Sequence, residues 1–261
     1  MAVDYEWFKK GVFDLTKIDL NAYKEKQMKR RIDTLIGKYD VKGYDGFLDL
    51  IKKDRDALDS FVSYLTINVS EFFRNKEQWE LMDKEMVPEL MSKFGKNLKI
   101  WSAACSTGDE PYTIVMMLSK HIPLNQISVL ATDLDAVVLA KAKAGIYDKK
   151  EVAGVPDEFK KKYFTETPEG KMKVSDEIKS RVTFKQSDLL RDPYPKDYHL
   201  IVCRNVLIYF TEEAKDDIFR KYFATLQPGG ILFIGSTEQI INYKEIGFVR
   251  KNSFYYEKPK T

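Results

Sequence analysis

The sequence predicts an α/β domain, a doubly wound sheet with helices on its faces, preceded by a small all-α domain and carrying a small antiparallel β insertion. Three observations carry this expectation. From Leu98 onward, short apolar runs alternate with helical segments. An acid, Asp133, closes the second of those runs, the position that meets a ribose in nucleotide-type sheets. Residues 1 to about 90 place apolar side chains at helical spacing, and no β-type alternation interrupts them.

A chain of 261 residues is long enough for an α/β domain, a smaller partner and a sizeable core. Charged residues make up 32% but the net charge is only +3, so the overall balance does not call for nucleic acid. Cys105 and Cys203 lie inside apolar segments and there are two histidines. That pattern fits a reducing compartment and argues against a disulfide scaffold or a metal cluster. The segment MAVDYEWFKKGVFDL has acids early and no apolar core of a signal peptide, and no window approaches the roughly 18 unbroken apolar residues of a membrane span. A cytoplasmic protein without direct membrane insertion is expected.

Within the helical part, Met28, Ile32, Leu35 and Ile36 recur at helical spacing up to Gly37. Phe47, Leu48, Leu50 and Ile51 mark a second helix, and Leu58, Phe61, Val62 and Leu65 a third. A fourth runs from about Lys76 to Phe94 with Trp79, Leu81, Met82, Met86, Leu90 and Met91, and Pro88 is expected to kink or divide it. Helices this short need tertiary partners. Opposite the stripe centred on Met28 and Ile32, Lys26 and Arg30 project into solvent with Lys29 on the flank. With Lys24 and Arg31 they form a basic ridge. It is either a plain solvated face or a docking surface for an acidic partner. In Thr66–Arg74, Asn68, Ser70 and Arg74 sit among large apolar residues. Such groups are costly to bury alone, so a ligand or another domain should satisfy them. The alternative is that Ser70 caps the next helix and Asn68 lies in a turn.

The α/β part opens with Ile100-Trp101, passes through the small residues Ser102 to Gly108, and enters a helix near Glu110. Ile127 to Thr132 is the next apolar run, closed by Asp133-Leu134-Asp135, and Ala136 to Ala144 is helical. Strands follow at Arg181–Lys185 and His199–Cys203, then a helix from about Glu212 to Leu226. Pro228-Gly229-Gly230 turns into a strand at Ile231–Gly235, and Phe248-Val249 with Phe254-Tyr256 fits a closing antiparallel hairpin. Between Tyr147 and Lys185, Tyr163-Phe164, the turn at Glu169-Gly170 and Met172-Val174 suggest a β insertion too long for an ordinary connection. Insertions of this kind often face a partner or substrate.

The chemistry of the first turn narrows the ligand. The turn has one glycine, Gly108, and lacks G-x-G-x-x-G, so paired glycines do not bring the backbone up to a pyrophosphate. Asp109 and Glu110 would repel phosphates at the helix entrance. S-adenosylmethionine, with a sulfonium and an ammonium, suits those acids, and Asp133 suits its ribose diol. Read as helix-dipole acids alone, the pair is explained for one of its members better than for both.

TINVSEFFR (66–74), WSAACSTGDEPY (101–112), ATDLD (131–135), VCRNVLIYF (202–210) and LQPGGILFIGSTE (226–238) together resemble the CheR chemoreceptor glutamate methyltransferases. The resemblance covers nearly the whole chain, in order. It implies a Rossmann-like S-adenosylmethionine-dependent methyltransferase domain at 76–261, with a β insertion at about 147–182, after a helical domain and linker at 1–75. By the same likeness, Asn68, Ser70 and Arg74 reach the cofactor from the linker, with Ala103 beside it. Glu110 meets its amino-acid part, Asp133 the ribose and Asp188 with Leu189 the adenine, while Arg204 and Asn205 form the floor. Family members often carry Thr at Ser70 and Asn at Asp188; Ser70 keeps the hydroxyl, whereas an ionised Asp188 accepts but cannot donate. Arg74 and Tyr209 match family residues near the transferred methyl and are the expected catalytic pair, Tyr209 having a core aromatic as its alternative.

The implied substrate is a glutamate on the cytoplasmic helices of a chemotaxis receptor, and the products are its methyl ester and S-adenosylhomocysteine. A carboxylate is ionised near pH 7, so no strong general base is required, and alignment with exclusion of water should dominate. Receptor methylation helices are acidic, and Lys26, Lys29, Arg30 and Arg31 resemble the positive face that docks on them. The insertion resembles the subdomain that binds a tethering peptide in some members. Here Thr165 to Lys171 is a few residues shorter and not glycine-rich, which points to a tether-independent enzyme; a monomer is expected. Two rivals share the cofactor site. A nucleic-acid or small-molecule methyltransferase is disfavoured because Arg204-Asn205-Val206-Leu207 stands where a base-binding Asn-Pro-Pro-Tyr would be. A non-catalytic cofactor sensor is disfavoured by Arg74, Glu110, Asp133 and Tyr209.

Overall fold

A computed structural model describes residues 4–260. The chain folds as two compact units, one running up to Asn68 and taking in Ile208–Asp217, the other made of Val69–Leu207 and the chain from Ile218.

Among the described residues up to Asn68, the first unit is built from four α-helices, α1 (Tyr5–Thr16), α2 (Glu25–Ile36), α3 (Gly43–Lys53) and α4 (Arg55–Leu65). Asp4 caps α1 by accepting the Trp7 amide at 2.9 Å, and Asp54 caps α4 by accepting the amides of Asp56 and Ala57. Phe8, Met28, Ile32, Phe47 and Phe61 form the buried centre. In α4 the buried face is Ala57, Phe61 and Leu65, with Leu58 and Val62 half-buried. Ile208–Asp217 joins this unit through backbone pairing: the Lys24 amide donates to the Tyr209 carbonyl at 2.9 Å and the Thr211 amide to the Ala22 carbonyl at 2.8 Å. The rings of Tyr23 and Phe210 lie 4.7 Å apart.

In the second unit, the segment from Lys76 to Phe94 is divided as expected near its proline. α5 (Lys76–Leu81) loosens into a π-helical stretch at Met82–Met86 before α6 (Val87–Phe94). Pro88 has no N–H to donate one turn back, which weakens the α ladder just upstream of it. The strands β1 (Lys99–Ala103) and β2 (Ser128–Asp133) belong to the main sheet, and β3 (Ile146–Tyr147), β4 (Phe164–Glu166) and β5 (Met172–Val174) to the insertion. The main sheet is completed by β6 (Val182–Gln186), β7 (Tyr198–Cys203), β8 (Leu226–Ile234), β9 (Val249–Arg250) and β10 (Tyr255–Glu257). Its order is β6-β2-β1-β7-β8-β10-β9, parallel as far as β8, with β10 and β9 antiparallel at the edge. The insertion forms a separate sheet in the order β3-β5-β4.

Two segments differ from their expected roles. β8 begins at Leu226, not after the Pro228-Gly229-Gly230 turn, because an irregularity opposite Tyr198 and Leu200 absorbs those residues within the strand. Residues 69–75 pack with the second unit rather than closing the helical one, since Phe72 and Phe73 are buried in its core with Trp79, Tyr147 and Phe159. The helices α7 (Asp109–Leu118) and α8 (Ala136–Ala144) follow β1 and β2, and α11 (Glu212–Thr225) precedes β8; short helices α9 (Asp157–Tyr163), α10 (Asp176–Lys179) and α12 (Tyr243–Ile246) complete the set. Strand order reverses between β1 and β7, so the turns leaving those two strands flank the crevice where open α/β sheets bind ligands. Among the described residues, no helix is long and apolar enough to cross a membrane.

Candidate functional site

The turn after β1 uses an unusual backbone. Ala104 (φ 61°), Ser106 (φ 47°) and Gly108 (φ 90°) all adopt left-handed conformations, which are strained for residues with a Cβ and recur at functional turns. At Gly108 a Cβ would also lie 2.9 Å from that of Ala142. The strain is held by Asp133 at the end of β2, whose Oδ2 accepts the Ser106 amide at 2.7 Å and whose Oδ1 accepts the Asp135 amide at 3.0 Å. Burial pushes the Asp133 carboxyl up to about 6 against the pull of these amides. Ala103 is fully buried in β1, paired in register with Thr132.

The acidic pair that opens α7 divides its work. Asp109 is buried and accepts hydroxyl hydrogen bonds from Thr107 and Ser70, so it fastens the linker to the helix entrance. The Phe73 amide adds a second fastening, donating to Thr113 Oγ1 at 3.2 Å. Glu110 Oε1 accepts the Ser102 hydroxyl at 2.8 Å, and its Oε2 lies 3.8 Å from Arg204 Nη1. Burial pushes the Glu110 carboxyl up to about 7, with Arg204 and Ser102 opposing the shift. A buried carboxyl near neutrality stands ready to ionise when a cation arrives.

Arg204, at the end of β7, is buried at 8% exposure and spends its guanidinium on the protein. Nη2 donates to the Arg74 carbonyl at 2.7 Å, to Gln78 Oε1 at 2.8 Å and to Asn75 Oδ1 at 3.2 Å. The guanidinium also lies over the rings of Trp79 and Phe233, at 5.1 and 4.8 Å. Trp79 Nε1 donates to the same Arg74 carbonyl at 3.0 Å. Two donors thus lock the backbone of Arg74 between left-handed Phe73 (φ 53°) and Asn75 (φ 60°). The half-exposed Arg74 side chain makes one bond, from Nη1 to the Val69 carbonyl at 3.1 Å, and has further donors to offer.

At the far end of β2, Asp133 pairs in register with Gln186, and the chain continues to Asp188 and Leu189. Asp188 Oδ1 accepts the Leu190 amide at 2.8 Å, burial pushes its carboxyl up, and Leu189 is buried. The second unit therefore links Arg74, Glu110 and Arg204, while Ser70 is tied to the neighbouring Asp109. Asp133 is joined to the turn beneath it by the Ser106 amide.

Asn68 and Tyr209 belong to the first unit. Asn68 Nδ2 donates to Thr66 Oγ1 at 2.8 Å, and Tyr209 is half-exposed, unlike its buried neighbour Phe210. Lys26, Lys29 and Arg30 are exposed on α2. Arg31 departs from that ridge: its guanidinium packs 4.5 Å over the Tyr64 ring and Nη2 donates to the Tyr64 carbonyl.

Three residues of the cluster carry no expectation from the sequence: Ser102, Gln78 and Glu238. Gln78 and Glu238 act through partners distant in sequence, and Ser102 through Glu110, beyond the turn that follows β1; of the three, Glu238, an acid in the turn that follows an apolar strand, leaves a local signal. The donor set suits S-adenosylmethionine. Arg204 Nε and Asn205 Oδ1 are buried with no hydrogen-bond partner, a donor and an acceptor for the carboxylate and ammonium of an amino acid. Glu110 adds the negative charge that an ammonium requires, and Asp133 retains lone pairs for a ribose diol.

Comparison with known proteins agrees. Residues 68–253 match the family model of the CheR methyltransferase S-adenosylmethionine-binding domain, and residues 3–66 match that of the CheR all-alpha domain. A "Chemotaxis protein methyltransferase" of Listeria innocua is 39% identical over 98% of this chain and 97% of its own length. "Chemotaxis protein methyltransferase 1" of Pseudomonas aeruginosa is 34% identical over 92% of this chain and 91% of its own length. A "Chemotaxis protein methyltransferase" of Borreliella burgdorferi is 29% identical over 92% of this chain and 89% of its own length. The chain is therefore a member of the CheR methyltransferase family, an enzyme that uses S-adenosylmethionine.

Proposed function

We propose that this protein methylates side-chain carboxylates of glutamates on the cytoplasmic helices of chemotaxis receptors. The products are glutamyl methyl esters and S-adenosylhomocysteine, and the reaction serves sensory adaptation in the cytoplasm. The names of its relatives support a chemotaxis role. The observation that carries the reading is Arg74, whose backbone is fixed by Arg204 and Trp79 while its guanidinium keeps donors for a carboxylate.

When bound, S-adenosylmethionine supplies a methyl group on a cationic sulfur. The acceptor glutamate is already ionised, so no residue of this chain has to remove a proton. Arg74 is assigned to hold the carboxylate in line. It must do so without over-stabilising a charge that is consumed in the transition state. Tyr209 is assigned to the same task on the resemblance of VLIYF to the family motif. Glu110, ionised, would hold the ammonium and Asp133 would accept from the ribose, while Asp188 and Leu189 are assigned to the adenine, and Asn68 and Ser70 to the cofactor, on the family resemblance.

Lys26, Lys29 and Arg30 offer the acidic receptor helix a positive face. The loop between β4 and β5 is a tight hairpin in which the Thr167 amide donates to the Lys171 carbonyl at 2.7 Å. This compact turn supports tether-independent action, so a receptor lacking its C-terminal tail should be methylated at an unchanged rate. Peptide mass mapping of a receptor cytoplasmic fragment after incubation with enzyme and cofactor tests the substrate assignment. Methyl groups on glutamates are the expected result; methyl groups on lysine or arginine alone would refute it.

A further inference from the structure

Glu238 lies just beyond β8, is 5% exposed, and has no role in the reading above. Its carboxylate accepts four backbone amides. Oε1 takes Val206 at 3.0 Å and Leu207 at 2.8 Å, while Oε2 takes Asn205 at 2.9 Å and Gly235 at 2.7 Å. Three successive amides converging on an anion form a nest of the kind that commonly receives a ligand phosphate or carboxylate. Here the protein fills the nest with its own side chain, so the turn after β7 takes its shape before any ligand arrives. Gly235 permits the approach: a Cβ there would stand 2.8 Å from the Asn205 nitrogen and 2.8 Å from Glu238 Oε2.

The turn so clamped is Asn205 to Leu207. Asn205 sits at φ 60°, a left-handed conformation that needs support, and its buried Oδ1 is unpartnered. Glu238 also acts at a distance. Its negative charge opposes ionisation of Glu110 and favours the cationic form of Arg204. The groups facing Glu110 are Ser102 and Cys105 from the β1 side, Arg74 from the linker, Cys203 from β7, and Arg204 and Glu238 from the turns after β7 and β8.

We propose that Glu238 is a positioning residue for cofactor binding, presetting the turn Asn205–Leu207 by accepting its three successive amides and anchoring it to Gly235. This rests on the reading that Asn205 and Glu110 hold the amino-acid end of the cofactor. Because the test measures binding of S-adenosylhomocysteine without receptor, it stands or falls separately from the choice of methyl acceptor.

E238Q is nearly isosteric, but an amide nitrogen cannot accept the two N–H donors left facing it. Isothermal titration of the full chain with S-adenosylhomocysteine from pH 5.5 to 8.5 is expected to show about tenfold weaker binding at pH 8 than for the unaltered protein. The midpoint of the pH dependence should also move to lower pH, since Glu110 then ionises without a neighbouring anion. A merely structural residue would lower the melting temperature and leave that midpoint in place. G235A keeps the charge and crowds the turn, so it should weaken binding with the midpoint unmoved. A folded E238Q with affinity within twofold and the original midpoint would overturn the proposal. If E238Q does not fold, a G235A protein that binds as tightly as the unaltered one would do the same.

Discussion

On α2, Lys26, Lys29 and Arg30 stand in solvent on a helix whose other face is Met28, Ile32 and Leu35. At the switch point between β1 and β7, Asp133, Arg204 and Glu238 are buried and Glu110 nearly so, its side chain 13% exposed. The difference separates two uses of charge. Exposed cations cost little to fold and act at a distance that salt shortens, which suits encounter with a partner. Buried ones are costly to desolvate and survive where hydrogen bonds and counter-charges hold them in place, which suits a fixed site for a charged ligand. The same energetics make the second group a burden on the ligand-free fold. Raising Glu110 from 4.5 to about 7 corresponds to ~3 kcal/mol against the ionised form.

If the buried region is the chemical one, the largest effect belongs to Arg74. R74A is expected to lower turnover on a receptor fragment by at least about a hundredfold, with cofactor affinity changed by less than about threefold. Single-turnover kinetics alongside cofactor titration would show the split, and an equal loss in both would move Arg74 from substrate to cofactor. Next, D133A should weaken S-adenosylhomocysteine binding by roughly ten- to a hundredfold, the range for a charge-assisted hydrogen bond; calorimetry reads it directly.

Glu110 gives the third effect, and its sign follows from the raised value. A ligand ammonium favours the ionised carboxylate, so below about pH 7 binding must first expel a proton. Affinity should therefore fall about tenfold from pH 8 to pH 6, a dependence that E110Q flattens. Stability runs the other way. The contribution of a raised carboxyl is full below its unfolded value and is lost as pH rises through its folded one, so the ligand-free protein should weaken from pH 6 to pH 8 in melting curves, and E110Q should weaken less, keeping only the smaller loss from Asp133.

The smallest effects lie on α2. K26E with R30E should raise the receptor KM several-fold at low salt and fade at high salt, with cofactor affinity unchanged. Arg31 sharpens the contrast within the same helix. Its guanidinium is committed to Tyr64, so R31A is expected to cost about 1 kcal/mol of stability and to leave the salt dependence of KM alone.

Much of this arrangement is legible in the chain because parallel strands buried on both faces read as continuous apolar runs, as Leu200 to Cys203 and Ile231 to Ile234 do. Asp133 is legible for the complementary reason, the first acid where such a run stops. α1 also leaves a local signature in Tyr5, Phe8 and Val12 behind a capping Asp4, one that a search for targeting signals passes over. What stays hidden is contact between distant positions. Gln78 meets Arg204 across 126 residues, and Ile208–Asp217 leaves its neighbours in the chain to pair with Ala22 and Lys24. Arg31 looks like Lys29 and Arg30 in sequence, and only the ring of Tyr64 tells it apart.

The central claim, that this cofactor site serves an ionised carboxylate, is tested most directly with methyl-labelled S-adenosylmethionine and a receptor cytoplasmic fragment. Label should enter the fragment and be released as methanol by mild alkali, because esters hydrolyse there and N-methyl groups do not. Label that enters the fragment and resists alkali would contradict the account.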